Sequence, residues 1–250
     1  MTRLPAEEAH VWWWPTQERI APEDLALLGT DEFHRALCLL QEADAAAFTG
    51  TRAGVRRAVG ALLGMPAERI GIDHHACGRC RSRSHGPPRL TGPAAGLALS
   101  MSRTARCAAA AVAPDGRIGI DVEALRPVRT ALLADSALTE SERRHVLALA
   151  PGPARDAAFH RCWTRKEAVV KASGVGLAGT ELTRLEVHPE RWGPLRVRHV
   201  FEGRATAWLV QDLPLSPALA AALARPATAQ GPVRLHPPVD AEVRVPVQSL

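Results

Sequence analysis

Aromatic residues are scarce in this sequence: it contains no tyrosine, and phenylalanine and tryptophan make up 4% of its 250 residues. Proteins that bind single-stranded nucleic acid usually stack its bases on aromatic side chains, so the scarcity argues against a nucleic-acid partner. The sequence also has no run of about 18 apolar residues, the length that a membrane-spanning helix needs. Its N-terminus lacks the basic-then-apolar order of a secretory signal. We therefore expect a cytoplasmic protein with no membrane segment.

Lysine is almost absent. All 31 lysine and arginine residues are arginines except Lys166 and Lys171, which both lie in the segment WTRKEAVVKASG. The lysine ammonium is a compact point charge, whereas the arginine guanidinium is a planar fork. Two lysines five positions apart in so arginine-rich a chain therefore indicate a site that requires an ammonium group. An ordinary surface ion pair between Glu167 and Lys171, about one helical turn apart, is the alternative.

Acidic residues are missing from the stretch between His74 and Pro114, although the net charge of the whole chain is only +5. The arginines that fall in this stretch are Arg79, Arg81, Arg83, Arg89, Arg103 and Arg106. Such a stretch can form a surface that binds phosphate groups, or it can be a solvated loop. The sequence favours neither interpretation over the other.

Five cysteines are present, an odd number, and most of them are far apart. This pattern favours reduced thiols over a disulfide framework. The exception is the C-x-x-C pair of Cys77 and Cys80, which has His74, His75 and His85 nearby. A small zinc site is an alternative use of this cluster, although the second cysteine pair that is usual in such sites is missing.

The apolar fraction of 46% is ample for a hydrophobic core. The order of helical and strand patterns predicts an α+β protein in two similar halves that divide near Pro114. We assign residues 1–113 to the N-terminal half, 114–225 to the C-terminal half and the proline-rich segment 226–250 to a loosely ordered tail. In the second half LTRLEVHP predicts a strand, and SPALAAALA is ambiguous between helix and strand.

Two acidic residues lie in an otherwise apolar strand, IGIDVE. Alternate residues of a strand face the same side, so Asp121 and Glu123 present two carboxylates side by side while Ile120 and Val122 face the core. Like charges this close repel unless a cation lies between them, and oxygen ligands without histidine or cysteine favour Mg²⁺. A third carboxylate, Glu167, and the helix lysines would complete a site for a metal and a diphosphate. A solvated strand end is the ordinary alternative.

The segments IGIDVE and FHRCWTRKEAVVKASGVGL resemble the two signature motifs of the 4′-phosphopantetheinyl transferases of the long, Sfp-like, pseudo-dimeric group. The usual forms, G-[IV]-D-[IV]-E and [FW]-x-x-K-E-[AS]-x-x-K, are both matched in full. A weaker resemblance extends from residue 10 to about residue 225. It implies a monomer of two similar α+β halves related by pseudo-twofold symmetry, with the active site in the cleft between them.

The resemblance also implies a reaction, that of the holo-[acyl-carrier-protein] synthase type. Such enzymes move the phosphopantetheine arm of coenzyme A onto a serine of an acyl or peptidyl carrier protein, in fatty-acid, polyketide or nonribosomal peptide biosynthesis, and release adenosine 3′,5′-bisphosphate. By matching positions, Asp121, Glu123 and Glu167 would hold Mg²⁺ on the pyrophosphate, and Glu167 or a metal-bound water would take the serine proton. Lys171 and Lys166 would neutralise the leaving phosphate. The other residues expected to bind coenzyme A are Arg52, Arg89, Ser100 and Ser102.

The sequence departs from the family pattern at three positions that usually contact coenzyme A phosphates: Pro87 replaces a lysine, Met101 a histidine and Ala47 an arginine. Each charge-assisted contact is worth about 1.5–3 kcal/mol. We therefore expect a weakened preference for coenzyme A over its 3′-dephospho form unless other arginines substitute. The candidates are Arg52, Arg89 and Arg103. The alternative function is that of a catalytically impaired relative that binds a carrier protein or a coenzyme A derivative without efficient transfer.

Overall fold

Two four-stranded sheets, each with one long helix packed on it, organise the chain in the computed structural model, which describes residues 8–77, 80–82, 86–114 and 116–237. The helices are α1 (Pro22–Leu25), α2 (Thr30–Leu37), α3 (Glu42–Leu63), α4 (Thr130–Ala137), α5 (Glu140–Ala148) and α6 (Pro153–Ser173). The strands are β1 (Ala9–Pro15), β2 (Gly71–His74), β3 (Pro88–Thr91), β4 (Leu97–Arg103), β5 (Cys107–Pro114), β6 (Gly119–Ala124), β7 (Leu195–Phe201), β8 (Arg204–Asp212), β9 (Leu219–Pro226) and β10 (Val233–Leu235). The predicted α+β class is thus confirmed. In the described ranges, no helix is both long enough and apolar enough to cross a bilayer.

The first sheet has the strand order β10-β1-β5-β4, and β2 pairs with β3 in a separate ribbon. Strand β1 runs antiparallel to β5 and parallel to β10. Strand β10 lies within the segment 226–250, for which the sequence predicts a loosely ordered tail. That expectation is wrong for Val233–Leu235, because the open edge of β1 offers this short segment backbone hydrogen-bond partners. Residues 238–250 lie outside the described ranges.

The second sheet has the order β6-β9-β8-β7, with every pair antiparallel. The ambiguous segment SPALAAALA supplies most of β9. The strand predicted for LTRLEVHP does not form: this segment contains a single 3₁₀ turn, Leu182–Arg184. At Val187 the backbone hydrogen bonds are made with side chains and not with a neighbouring strand. The N–H of Val187 donates to Glu142, and the carbonyl oxygen of Val187 accepts from Arg165.

The two sheets stack face to face, and a long helix covers the outer face of each. Successive residues of one strand therefore belong to different cores: Ala221 and Leu223 of β9 pack between the sheets, whereas Ala222 and Ala224 pack towards α6. On the other side, Val55 of α3 packs against the outer face of the first sheet. This α/β/β/α layering follows from the period-two alternation of strand side chains.

Gly119 lets β6 approach α6 more closely than any other residue would allow. A Cβ atom at this position would lie 1.9 Å from the carbonyl oxygen of Ala168 and 2.5 Å from the backbone nitrogen of Ala172. Neither atom can move without breaking the helix. The glycine that begins the motif GIDVE therefore sets the distance at which the acidic residues of β6 face the polar edge of α6.

Candidate functional site

A cavity of about 530 Å³ lies where β4, at the edge of the first sheet, meets β6, at the edge of the second. We call it the carboxylate cavity. The residues that line it are Arg35, Thr51, Arg52, His74, Gly86, Pro88, Met101, Ser102, Arg103, Asp121, Glu123, Trp163, Glu167 and Lys171. Acidic side chains occupy the wall formed by β6 and α6, whereas the wall formed by the N-terminal elements carries arginines and a histidine.

Asp121 is the most constrained acid of the carboxylate cavity. It is 4% exposed, and its Oδ1 accepts hydrogen bonds from Ser102 Oγ and Lys171 Nζ, each at 2.7 Å. Lys171 Nζ also donates to the carbonyl oxygen of Ile120 at 3.1 Å. The other carboxylate oxygen, Oδ2, is buried without a hydrogen-bond partner among the described residues. A buried carboxylate oxygen in this state requires a donor or a cation that the described residues do not supply.

Glu123 and Glu167 share this acidic wall with Asp121. Burial, and then the charge of Asp121, raise the pKa of Glu167 from 4.5 to about 7. The same two causes raise the pKa of Glu123, which is also hydrogen-bonded by Trp163. Asp121 thus raises the pKa of both glutamates, and three carboxylates this close form a site that favours a bound cation.

The donor set of the acidic wall fits Mg²⁺. All the candidate ligands are carboxylate oxygens, the ligand type that Mg²⁺ prefers, and one of them, Asp121 Oδ2, is buried and unpaired. In the described ranges no three histidine, cysteine or acidic side chains are close enough as they stand to hold a metal ion. At Asp121 the ammonium of Lys171 supplies a compensating positive charge.

Three arginines surround one aromatic ring at the opposite end of the carboxylate cavity. The guanidinium carbons of Arg35, Arg52 and Arg103 lie 5.6, 5.3 and 5.7 Å from the ring centre of Phe48. Arg52 Nη2 is also 3.3 Å from His74 Nε2, and burial lowers the pKa of that histidine. A neutral ring holds these like charges together without cancelling them, which leaves this end of the cavity suited to a polyanion.

Arg52 owes its position to the helix pair below it. Its Nη1 lies 3.3 Å from Glu32 of α2, and the same carboxylate pairs with Arg56, one turn along α3, at 2.5 Å. Burial lowers the pKa of Arg52 to about 10, so the guanidinium remains charged at neutral pH. One buried carboxylate shared by two arginines leaves a net positive charge next to the cavity.

Six of the nine residues predicted from the sequence line the carboxylate cavity: Arg52, Ser102, Asp121, Glu123, Glu167 and Lys171. Three others do not. Ser100 accepts a hydrogen bond from the N–H of Ile120 and is 4% exposed, so its hydroxyl joins β4 to β6. Arg89 pairs with Asp73 across the β2–β3 ribbon at 2.7 Å.

Lys166 is the third residue that the structure keeps away from the carboxylate cavity. Its Nζ contacts Glu142 Oε2 and the carbonyl oxygen of Leu182, both at 2.6 Å, and both charged side chains are almost fully buried. Burial raises the pKa of Glu142, and the pairing with Lys166 opposes that rise. Lys166 therefore anchors α5 and the Leu182 turn to α6, and the expectation that it binds coenzyme A has no support in its position.

Sequence reasoning missed Arg35 and Trp163, and it considered His74 only as a zinc ligand. The spacing of Trp163, Glu167 and Lys171 by four residues, which places all three on one helix face, was the available signal for the tryptophan. Arg35 and His74 come from separate N-terminal elements, and no local pattern connects them. The zinc interpretation has no support in the described residues, where no group of three potential ligands is assembled; His85 lies outside those residues.

The comparisons with known proteins agree with the two motifs. Residues 117–224 match the family model of the 4′-phosphopantetheinyl transferase superfamily. The chain is 29% identical over 214 residues to the 4′-phosphopantetheinyl transferase HetI of Nostoc sp. strain PCC 7120, a match that covers 84% of each protein. The crystal structure of Thermotoga maritima holo-[acyl-carrier-protein] synthase (AcpS) is similar at 25% identity, with a TM-score of 0.29, over 43% of this chain and 61% of that chain.

Proposed function

We propose that the chain, which matches the family model of the 4′-phosphopantetheinyl transferase superfamily over residues 117–224, transfers the phosphopantetheine arm of coenzyme A to a serine of an acyl or peptidyl carrier protein. The observation that carries the proposal is the division of the carboxylate cavity into an acidic wall with an unpaired Asp121 oxygen and a wall of arginines. Phosphoryl transfer depends on positioning and on neutralisation of phosphate charge, and these two walls provide the two kinds of group that it needs.

Asp121, Glu123 and Glu167 are the residues that would hold Mg²⁺. When bound, the ion would neutralise the pyrophosphate of coenzyme A and polarise the phosphorus that is attacked. The unpaired Asp121 Oδ2 and the raised pKa values of Glu123 and Glu167 support this assignment. Lys171, which lies 2.7 Å from Asp121, is close enough to donate to a phosphate oxygen of the substrate on the same wall.

In the proposed reaction the carrier serine Oγ forms a bond to the phosphorus next to the pantetheine. The bond from that phosphorus to the oxygen of the adenosine bisphosphate breaks, and the bisphosphate leaves with the electron pair. Glu167, which lines the carboxylate cavity, takes the serine proton. Lys171 stabilises the charge that develops on the leaving phosphate.

Arg35, Arg52 and Arg103 are proposed to bind the phosphates of the adenosine end. The sequence lacks a lysine at Pro87 and a histidine at Met101, both positions where related enzymes carry such contacts. Arg103, two residues after Met101, lines the cavity with the other two arginines. Arg52 and Arg103, together with Arg35, would therefore replace the missing phosphate contacts. Arg89, the other candidate from the sequence, would not.

The finer family assignment is also a proposal. Sfp-like enzymes have two similar halves, and the pairing of α3 with the first sheet and of α6 with the second supports that arrangement here. The halves would correspond to residues 1–113 and 114–225, apart from β10, which belongs with the first sheet. On this basis we propose a monomer, and from the sequence we propose that it acts in the cytoplasm.

Mass spectrometry of an apo-carrier protein tests the proposal. After incubation with the full chain, coenzyme A and Mg²⁺, the carrier should gain the mass of one phosphopantetheine arm on its serine. The gain should disappear when Mg²⁺ is chelated. Tight binding of coenzyme A or carrier without any mass gain would instead favour the impaired-relative alternative and overturn the transferase proposal.

A further inference from the structure

A second cavity, of about 740 Å³, is lined by residues of the β7–β8 hairpin, by the end of α6 and by Arg117, which lies two residues before β6. We call it the hairpin cavity, because the β7–β8 hairpin forms one side and the turn that follows α6 forms the other. It shares no lining residue with the carboxylate cavity. Its size is that of a site for a small organic molecule. The lining residues that matter here are Arg117, Val175, His199, Phe201 and Arg204.

His199 is a polar residue in an apolar position. Leu195, Val197 and His199 alternate on the buried face of β7, and all three are less than 5% exposed. The Nε2 atom of His199 is buried and has no hydrogen-bond partner among the described residues. Buried polar groups are nearly always paired, so we expect a group from outside the described residues to satisfy this nitrogen. Because His199 lines the hairpin cavity, that group would enter through the cavity.

The rest of the hairpin cavity combines apolar surface with three charged side chains, Arg117, Arg204 and Glu202, whose net charge is positive. Phe201 packs beside Gly179, where a Cβ atom would lie 3.3 Å from the aromatic ring, and Val175 continues this apolar surface. Arg117 and Arg204 are exposed and line the cavity, and Arg117 also donates to the carbonyl oxygen of Ser173. Burial lowers the pKa of His199, which is therefore neutral at pH 7 and provides one hydrogen-bonding nitrogen rather than a charge.

We propose that the hairpin cavity binds a small aromatic carboxylate that carries a hydroxyl group. The aromatic body would lie against Phe201, the hydroxyl would hydrogen-bond His199 Nε2, and the carboxylate would pair with Arg117 and Arg204. Each part of this ligand answers one feature of the cavity: an apolar wall, a buried unpaired nitrogen and two exposed guanidinium groups. The inference goes beyond the transfer reaction and does not depend on it, because the two cavities have separate walls.

The test is a calorimetric titration of the full-length chain with 6-hydroxy-2-naphthoate. We expect saturable binding that becomes at least tenfold weaker in the double variant Arg117→Gln/Arg204→Gln. Arg198→Gln is the matched control, since this exposed arginine of β7 is outside the cavity lining, and it should leave the affinity unchanged. No saturable binding to the unaltered chain, or equal loss in the control variant, would overturn the proposal.

The hydroxyl contact is tested by a second ligand, 2-naphthoate, and a second variant, His199→Phe. The unaltered chain should bind 2-naphthoate at least fivefold more weakly than the hydroxylated probe. In His199→Phe the two ligands should bind equally, because the nitrogen that distinguishes them is gone. If the melting temperature of that variant is far below that of the unaltered chain, the hydroxyl contact is judged from the affinities of the two ligands for the unaltered chain. Equal affinities there would show that His199 does not contact the ligand.

Discussion

Lys166 and Lys171 lie five positions apart on α6, and this spacing turns one side chain about 140° from the other around the helix axis. Lys171 therefore reaches Asp121 in the carboxylate cavity, whereas Lys166 reaches Glu142 in the core between α5 and α6. Of the two lysines in the sequence, Lys171 therefore contacts the candidate site and Lys166 forms a buried structural ion pair.

The first prediction separates these two lysines. Lys166→Met should lower the free energy of unfolding by about 3–5 kcal/mol, because it leaves the carboxylate of Glu142 buried without its partner. Lys171→Met should destabilise the fold less than Lys166→Met, since the Lys171 side chain is 28% exposed and Asp121 keeps its hydrogen bond from Ser102, but it should lower the rate of carrier modification at least tenfold. Urea unfolding and timed mass spectrometry on both variants check this. A stable Lys166→Met protein that fails to modify its carrier would contradict the assignment.

The second prediction concerns the arginine wall. Arg103→Gln should weaken coenzyme A binding about 10- to 100-fold, the loss expected for one charge-assisted phosphate contact. The preference for coenzyme A over 3′-dephospho-coenzyme A should fall in the same variant. Arg89→Gln is the control, because Arg89 is bonded to Asp73 outside the cavity. Competition binding with both nucleotides measures the effect, and equal losses in the two variants would show that the wall does not hold the phosphates.

This prediction revises what the sequence alone suggested about substrate preference. Three missing phosphate contacts predicted a weakened preference for the 3′-phosphate form, but Arg35, Arg52 and Arg103 line the same cavity. We therefore expect the unaltered chain to prefer coenzyme A clearly. An equal use of both forms would show that the arginines do not compensate for Pro87 and Met101.

The third prediction follows from the pKa of Glu167, which is raised from 4.5 to about 7 in the metal-free protein. A carboxyl with a raised pKa favours the folded state while it is protonated, so its contribution to stability is complete below about pH 4.5 and is lost as pH rises through 7. A cation bound to the acidic wall would offset this loss of stability, because it favours the ionised carboxylate. Mg²⁺ should therefore raise the melting temperature more at pH 8 than at pH 6.

The control for that measurement is Glu167→Gln, which cannot ionise. In this variant the additional stabilisation by Mg²⁺ at pH 8 should shrink, although Glu123, whose pKa is also raised, should keep part of it. Differential scanning calorimetry at both pH values gives the answer. A Mg²⁺ effect that is the same at both pH values in the unaltered chain would contradict the role of Glu167.

The fourth prediction concerns the approach of β6 to α6. Gly119→Ala should destabilise the fold by at least about 1–3 kcal/mol, because the new methyl group would overlap the backbone of Ala168 and Ala172. Gly96→Ala is the matched control, since a Cβ atom there has no neighbour within 4 Å. Chemical unfolding of both variants tests this. Equal stabilities would mean that the strand and the helix are not held at this distance.

The sequence predicted those parts of the site that depend on local periodicity. Strand alternation put Asp121 and Glu123 on one face, and the four-residue spacing of Glu167 and Lys171 put them on one side of α6. Local periodicity could not predict the different roles of Ser100 and Ser102, because both side chains face β6. Only the register of β4 decides that Ser102 contacts the Asp121 side chain whereas Ser100 contacts the backbone of Ile120.

Where the structure places residues differently from the expectation, the physical cause is the same: local sequence patterns carry no information on partners that are distant in sequence. Arg89 is taken by Asp73 through the β2–β3 register, and β10 finds the edge of β1 more than two hundred residues away. The same holds for the arginine wall, since α2, α3 and β4 meet around Phe48 only in the folded chain. The α+β class was predictable, whereas the pairing of β10 with the first sheet was not.

The most direct measurement of the central claim compares Asp121→Asn with the unaltered chain in the carrier-modification experiment. Asparagine keeps the shape of the side chain and can still accept from Ser102 and Lys171, but it removes the charge beside Glu123 and Glu167. The account predicts an unaltered fold by circular dichroism and at least a hundredfold slower gain of the phosphopantetheine mass. Modification at the original rate by a folded Asp121→Asn protein would contradict it.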